Sequence, residues 1–484
     1  MSPEMSPETE GLTNFDWKEW PEAERLVHSF LAEFLLKNEF AKNFSERLLE
    51  ETSTNFIDWV DHIVIGGSLV SVRNLQMAGY CHDDVPLKDS MFVLYHPNAR
   101  LPRIAVNWDE KETKVLAVAI KCDELSFFSK IFKNRFGSLA RLGFIEGSMW
   151  GPYCRVAVLD NSPTFLIAQR RGYGGIAPVR LDPKREDMIR DAIRLWHLQR
   201  FRYPAADYNT SGLLLHTCEK RRMREVLNYA EGLVKLVGSG MAAEIVMADE
   251  RYYWQKRNAA AHFQKERQDK LGLGWGNHDH HTFRSSRKHF RTLVKIFETL
   301  GFQCRERFHA GCEAGWGAQI LDHPESDAVI FADVDLSPEE VLNDFAHEPL
   351  KSRKELGTIG LWCALHGESI MQAGMHHLEI QCNFDRFRQD FVAANYKLMN
   401  PFSDLPMLRQ AFTEGERWPV PDTTLHRLLK AKKITEEQFV SFKRDRAVGS
   451  HLEHLWRGGG YKGFNQKGIS QILLALNPGT QKGS

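Results

Sequence analysis

Gly374-Met375-His376-His377-Leu378-Glu379-Ile380 decides how the chain is read. A glycine opens a short β-prone run, and side chains alternate across a strand. His377, Glu379 and Gln381 therefore share one face with Met375, while His376, Leu378 and Ile380 take the other. Two further segments have the same character. Asp279-His280-His281-Thr282-Phe283-Arg284 puts His280, Thr282 and Arg284 on one face and Asp279 and His281 on the other. In Glu453-His454-Leu455-Trp456-Arg457, just ahead of a glycine run, Glu453, Leu455 and Arg457 share a face. If these faces line one cavity, it holds two imidazoles, one or two carboxylates and one or two arginines. Two imidazoles and one carboxylate on one side of a metal form the donor set of mononuclear non-heme Fe(II) oxygenases, which leaves positions open for substrate and dioxygen. The candidate ligands are His280, His377 and Glu453, with Glu379 as the alternative carboxylate. Arg284 is the candidate substrate contact, because its fork takes a carboxylate in bidentate fashion.

Outward from these segments the pattern repeats. After His280–Arg284, Ser285 or Ser286 can cap a helix with apolar residues at Phe290, Leu293, Val294, Phe297 and Leu300, stopped by Gly301. Strand-like runs follow at 303–308, 317–321 and 328–334. Then 374–382 reads as a strand, Asp385 can cap, and Phe387, Phe391, Ala394 and Leu398 make a helical stripe before the strands that end near Arg457. A βαβββ unit used twice predicts two modules closing one curved sheet. An earlier β-rich stretch opens on Asp61-His62-Ile63-Val64-Ile65 and reads as an older copy of the unit. The expected fold class is α+β: paired βαβββ modules around a metal cavity, with added helices. The expected organisation is a disordered tip and helical lead over 1–50, a β-rich module over 51–175, a helical connector over 176–270, one metal module over 271–350, and a second over 351–484 that ends in a lid helix near Ile469–Leu476.

Composition narrows the classes. The 63 basic and 63 acidic residues balance, so no long-range field draws the chain to nucleic acid or an anionic membrane. The run Lys220-Arg221-Arg222 reads as a solvated helix face. No apolar run approaches the length that spans a bilayer. The eight cysteines never form a Cys-x-x-Cys pair, which argues against a zinc ribbon and fits reduced thiols. The expected location is the cytoplasm. Gly458–Gly463 lacks the spacing of a nucleotide loop. His366 and Glu368 are candidates for orienting a ligand imidazole from behind.

The Gly374–Ile380 segment resembles the Gly-x-x-His-Ile-Ala-Leu strand that opens the last module of 4-hydroxyphenylpyruvate dioxygenases. Glu453–Arg457 resembles that family's Glu-Ile-Ile-Gln-Arg strand, and Asp279-His280 its Asp-His. The spacings, 97 residues from His280 to His377 and 76 onward to Glu453, are those of successive modules. The chain is similar as well to the 2-oxoadipate dioxygenase/decarboxylase family of the same vicinal oxygen chelate superfamily, in His280 with Arg284 and in Glu453 with Arg457-Gly458. That second family places its first histidine in an earlier module, which nominates His62 as an alternate ligand, although Asp61–Gly66 lacks an arginine four residues on.

These resemblances imply an Fe(2+) dioxygenase. Its substrate would be a 2-oxo acid that chelates iron through carboxylate and keto oxygen, loses CO2 and is hydroxylated. The expected partners are that small molecule and dioxygen, with no nucleic acid and no membrane; a homo-oligomer is left open. The alternatives are an oxygen-independent isomerase, epimerase or lyase on another metal, and a metal-free binding protein.

Overall fold

The computed structural model describes residues 17–464 apart from 85–86, 88–89, 160–161, 202–211 and 312–313. The expectations of a disordered Met1–Asn14 and of a lid helix at Ile469–Leu476 fall outside the described residues.

The first half of the chain builds one sheet from two βαβββ repeats. The first repeat runs β1 (Val60–Gly66), a helix (Leu69–Met77), β2 (Cys81–Asp83), β3 (Met91–Tyr95) and β4 (Arg103–Asn107). The second runs β5 (Val115–Cys122), a helix (Leu125–Arg135), β6 (Arg141–Leu142), β7 (Tyr153–Leu159) and β8 (Thr164–Arg170). In each repeat the first and last strands are parallel neighbours, β1 with β4 and β5 with β8, and the repeats join through the antiparallel pair β1–β5. The stretch expected to be one β module, 51–175, is thus two repeats in an eight-stranded sheet ordered β2-β3-β4-β1-β5-β8-β7-β6. The second repeat escaped the sequence reading because Val115–Cys122 is apolar along nearly its whole length and carries no His signature.

The second half repeats the plan. One module comprises β9 (His278–Arg284), a helix (Phe290–Thr299), β10 (Gln303–His309), β11 (Trp316–Asp322) and β12 (Val329–Asp335). The next comprises β13 (His377–Gln381), a helix (Phe384–Ala393), β14 (Ser403–Leu405), β15 (Leu408–Phe412), β16 (Glu416–Trp418) and β17 (Ala447–Arg457), with helices Asp422–Lys430 and Glu436–Asp445 inserted before the last strand. The order β10-β11-β12-β9-β13-β17-β15-β14, with β16 added on β17, again has first and last strands parallel within each module and the two first strands antiparallel across the seam. The α+β architecture of paired βαβββ modules expected from the sequence is therefore present, twice over.

One face of the second sheet packs on helices. Phe283, Ile330, Leu378 and Ile380 are buried in one core with Leu293, Phe297, Phe387 and Phe391. Helices Gly212–Val237, Ser239–Gln255 and Ala259–Asp269, in the segment read as a helical connector, contribute to that core. Alternation then obliges Thr282, His377 and Glu379 to face the hollow of the sheet. Local capping differs from expectation in two places. Ser285 and Ser286 bond Glu368, at 2.7 Å from the Ser285 hydroxyl and 3.1 Å from the Ser286 N–H, and the helix starts later, at Phe290. In the next module Asn383, not Asp385, accepts from the Arg386 N–H, while Asp385 sits in the first turn, where a carboxylate suits the helix dipole.

Candidate metal centre

β13 lies between β9 and β17, so three neighbouring strands feed the same hollow. Register fixes who meets whom. His377 pairs with Thr282 across β9, and Glu379 pairs with Glu453 across β17. His280, His377 and Glu453 each bring one ligand atom to within 4.8 Å of the others. The Glu453 Oε2 lies 2.9 Å from His377 Nε2 and 3.5 Å from His280 Nε2. Two ligands held ~2.1 Å from one ion stand ~3.0 Å apart at a right angle and ~3.4 Å apart at a tetrahedral angle. Both Glu453 distances match this spacing, and the ligand atoms of the two imidazoles lie within 4.8 Å of each other, so the three residues could hold a single ion. His377 Nδ1 is buried with no hydrogen-bond partner. Thr282 Oγ1 sits 2.8 Å from His377 Nε2.

Arg284 lines the same cavity, of about 60 Å³, whose wall is largely aromatic: Phe308, Trp316, Phe331, Phe402, Phe412 and Phe464. Its guanidinium is buried, lies over Trp362 at 5.5 Å, and has its Nε 3.8 Å from Asp333, too far for a hydrogen bond. Glu379 stands behind the three. Its Oε2 approaches His280 Nδ1 at 2.6 Å and its Oε1 accepts from Gln410 Nε2 at 2.7 Å. It touches His280 on the nitrogen opposite to the one that meets Glu453, so it does not share the point where the other three converge.

The charges ask for a cation. Burial alone would strip the proton from His280, yet Glu379, Asp279 and Glu453 together hold it well above the ordinary imidazole range. Burial, and then the Glu453 charge, push Glu379 up to about 8. Burial raises Asp333 to about 7 against the pull of Arg284, and lowers Arg284 itself to about 10. His377 is kept well below its usual range, first by burial and then by His280, which suits a neutral ligand. Glu379, Asp279 and Glu453 thus gather acidic groups around one imidazole, and all three favour a positive charge there. A divalent ion would supply it and free the His280 lone pair.

His62 stands elsewhere. It lies on β1 of the other sheet, its Nδ1 2.8 Å from Asp61, whose carboxylate Arg170 clamps at 2.6 Å. The hollow there is packed with Ala117, Ala119, Tyr153, Leu166 and Ala168. Matching the registers of the two sheets puts Ala117 where His377 stands and Leu166 where Glu453 stands, so neither equivalent position offers His62 a partner ligand, and among the described residues it joins no group that could hold a metal. His366 donates from Nε2 to the Val448 carbonyl at 3.1 Å and Glu368 holds Ser285 and Ser286; neither braces a candidate ligand.

His376 departs from the alternation argument. β13 begins at His377, after a π-turn over Ser369–Ala373 and a left-handed Gly374 at φ 75°, so His376 lies before the strand and lines the cavity as well. Its Nε2 is 2.7 Å from His451 Nε2, and Gly449 O takes its Nδ1. The sequence reading missed His451, Gln410 and Asp333. His451 carried a signal, since it stands two residues before Glu453 and so shares its face. Asp333 carried one too, as an acid inside the apolar run 328–334. Gln410 carried none.

A larger cavity of about 1270 Å³ lies between the two sheets and the helices and reaches Gln381 and Arg457. None of His280, His377 and Glu453 lines it, and its Arg103–Asp327 and Arg170–Asp61 pairs satisfy one another. Among the described residues no helix is long and apolar enough to cross a membrane.

No family model matches the sequence, and no curated protein matches it. Solved structures do. Hydroxyglutarate synthase from Oryza sativa, solved in complex with 2-oxoadipate, is similar at 15% identity over 48% of this chain and 91% of its own, with a TM-score of 0.32. Methylmalonyl-CoA epimerase from Mycobacterium tuberculosis is similar at 12% identity over 37% of this chain and 87% of its own, with a TM-score of 0.21. A glyoxalase I mutant from Zea mays is similar at 12% identity over 25% of this chain and 45% of its own, with a TM-score of 0.19.

Proposed function

We propose that this chain is a mononuclear non-heme Fe(II) dioxygenase of the vicinal-oxygen-chelate type, acting in the cytoplasm on a 2-oxo acid and dioxygen. The observation that carries the reading is the convergence of His280 Nε2, His377 Nε2 and the Glu453 carboxylate within 3.5 Å steps on the floor of a small aromatic cavity. A two-histidine, one-carboxylate set is the donor combination that leaves an Fe(II) ion open positions on one side. The ion would supply a Lewis-acid seat for the keto acid and the redox chemistry with dioxygen.

The chain's own residues do the rest. Arg284, four residues and two pleats from His280, offers a guanidinium whose nearest acid is too distant to bond it, so a substrate carboxylate can take its fork. Asp333, 3.8 Å away, offsets part of its charge. Phe464 meets Phe308 at 5.5 Å and Phe331 at 5.0 Å, edge to face, and these rings give the cavity an apolar wall that would keep water from the reacting atoms. Phe331 packs its ring 4.3 Å from that of His280 and limits the imidazole's rotation.

The test is oxygen uptake by the Fe(II)-loaded protein against a panel of linear, branched and dicarboxylic 2-oxo acids, with CO2 release measured in parallel. One CO2 released per O2 consumed with at least one member supports the reading. Turnover that proceeds unchanged without oxygen, or that Zn(II) supports equally, would replace it with an oxygen-independent isomerase, epimerase or lyase.

A further inference from the structure

We infer that Glu379 is not a ligand but the positioning residue of the centre, a buried brace that fixes His280 and, through Gln410, Glu453 as well; this rests on the metal-centre reading above. Glu379 is fully buried on the middle strand of the three. Its Oε2 stands 2.6 Å from His280 Nδ1, in ion-pair contact although off the line of an N–H on that nitrogen, and it has no hydrogen-bond partner. With the Nδ1 proton directed to Glu379, the His280 lone pair is left on Nε2, the atom that faces Glu453 and His377. The second Glu379 oxygen is taken by Gln410 Nε2 at 2.7 Å, and that same amide nitrogen lies 3.4 Å from Glu453 Oε1. One carboxylate thus couples the orientation of two candidate ligands on strands to either side of it. Arg457 supports the arrangement from the rear, its Nη2 3.7 Å from Glu379 and 3.3 Å from Asp279. Asp279 is itself held by Gln381 at 2.9 Å. Residues that orient a ligating histidine in this way are typically worth ~10–100-fold in metal affinity.

The alternative role for Glu379, direct ligation, makes a different demand. A ligand must share the convergence point, and removing it must cost what removing Glu453 costs. The experiment is a competition titration of the full-length chain with Co(II) against a chromophoric chelator, reading affinity, stoichiometry and the visible Co(II) absorption bands, with thermal melts of the ion-free proteins as a folding check. Wild type, Glu379→Leu, Glu379→Gln, Gln410→Leu and Glu453→Gln are compared. We expect Glu379→Leu to keep one Co(II) per chain but bind it ~10–100-fold more weakly, with altered band positions, and Glu379→Gln, whose amide oxygen can still accept from Nδ1, to recover most of the loss. If Glu379→Leu does not fold, Gln410→Leu carries the test with a several-fold loss. Wild-type affinity in the Leu variants overturns the brace, and so does a loss in Glu379→Leu as complete as in Glu453→Gln. Failure of the underlying centre looks different: wild type itself then binds no stoichiometric ion, or Glu453→Gln binds it unchanged.

Discussion

Replacing Arg284 with Met tests the electrostatics of the cavity quantitatively. The substitution keeps most of the apolar stem beside Trp362 and removes the guanidinium that faces Asp333. An ionised carboxylate left alone in the interior costs about 3–5 kcal/mol. Asp333 can escape that cost by keeping a proton, because burial already holds its carboxyl up at about 7. A carboxyl raised in the fold above its ordinary 3.8 binds a proton more readily folded than unfolded. Stability from that group is therefore full below the unfolded value and is lost as pH rises toward the folded one. In wild type the loss ends near pH 7. Without Arg284 the folded value climbs further, and the variant goes on losing about 1.4 kcal/mol per pH unit beyond the point near pH 7 where wild type stops. Between about pH 7 and about pH 8.5 the gap between variant and wild type should thus widen by about 2 kcal/mol. Urea unfolding of the ion-free proteins at those two values measures it, and Arg284→Met with Asp333→Asn should remove the widening. A gap that is the same at both pH values, or that survives Asp333→Asn, would refute the coupling.

Other expectations follow from single contacts. Arg284→Lys should leave the bound metal unchanged and raise KM for the keto acid at least tenfold, since an ammonium cannot reproduce the fork; unchanged KM in steady-state assays counts against a substrate contact. His62→Ala should leave metal stoichiometry at the wild-type value, because its hollow offers no second ligand; a lost ion would show that the first sheet holds the centre. His366 is buried and pushed down to about 3, so its neutral form stabilises the fold above pH 6.5 and that stability drains away as pH falls. His366→Gln, which can still bond the Val448 carbonyl, should therefore be about 3 kcal/mol less acid-sensitive between about pH 6.5 and about pH 4, read by urea midpoints. An identical acid profile would contradict the assigned environment.

How much of this was legible in the sequence depends on which physics set each feature. The alternation of His280, Thr282 and Arg284, and of His377 and Glu379, could be read because the period of a strand is two and the opposite positions, Phe283, Leu378 and Ile380, are apolar. The βαβββ repeat was legible where helix stripes such as Phe290–Phe297 separate the strands. It was not legible in the second repeat, where β5 is buried on both faces and periodicity disappears. The inward position of His376 comes from Gly374 and the turn before it, a backbone detail that residue types do not announce. The choice between Glu379 and Glu453 needed register: the two are direct neighbours across β13 and β17, and only the third dimension sets one at the meeting point and the other behind His280.

The most direct test is an anaerobic Fe(II) titration of the chelator-treated full-length chain beside His377→Ala and His376→Ala. One Fe(II) per chain is expected in wild type, none in His377→Ala, and retained binding in His376→Ala. Equal iron in wild type and His377→Ala, or none in wild type, would contradict the assigned ligand set.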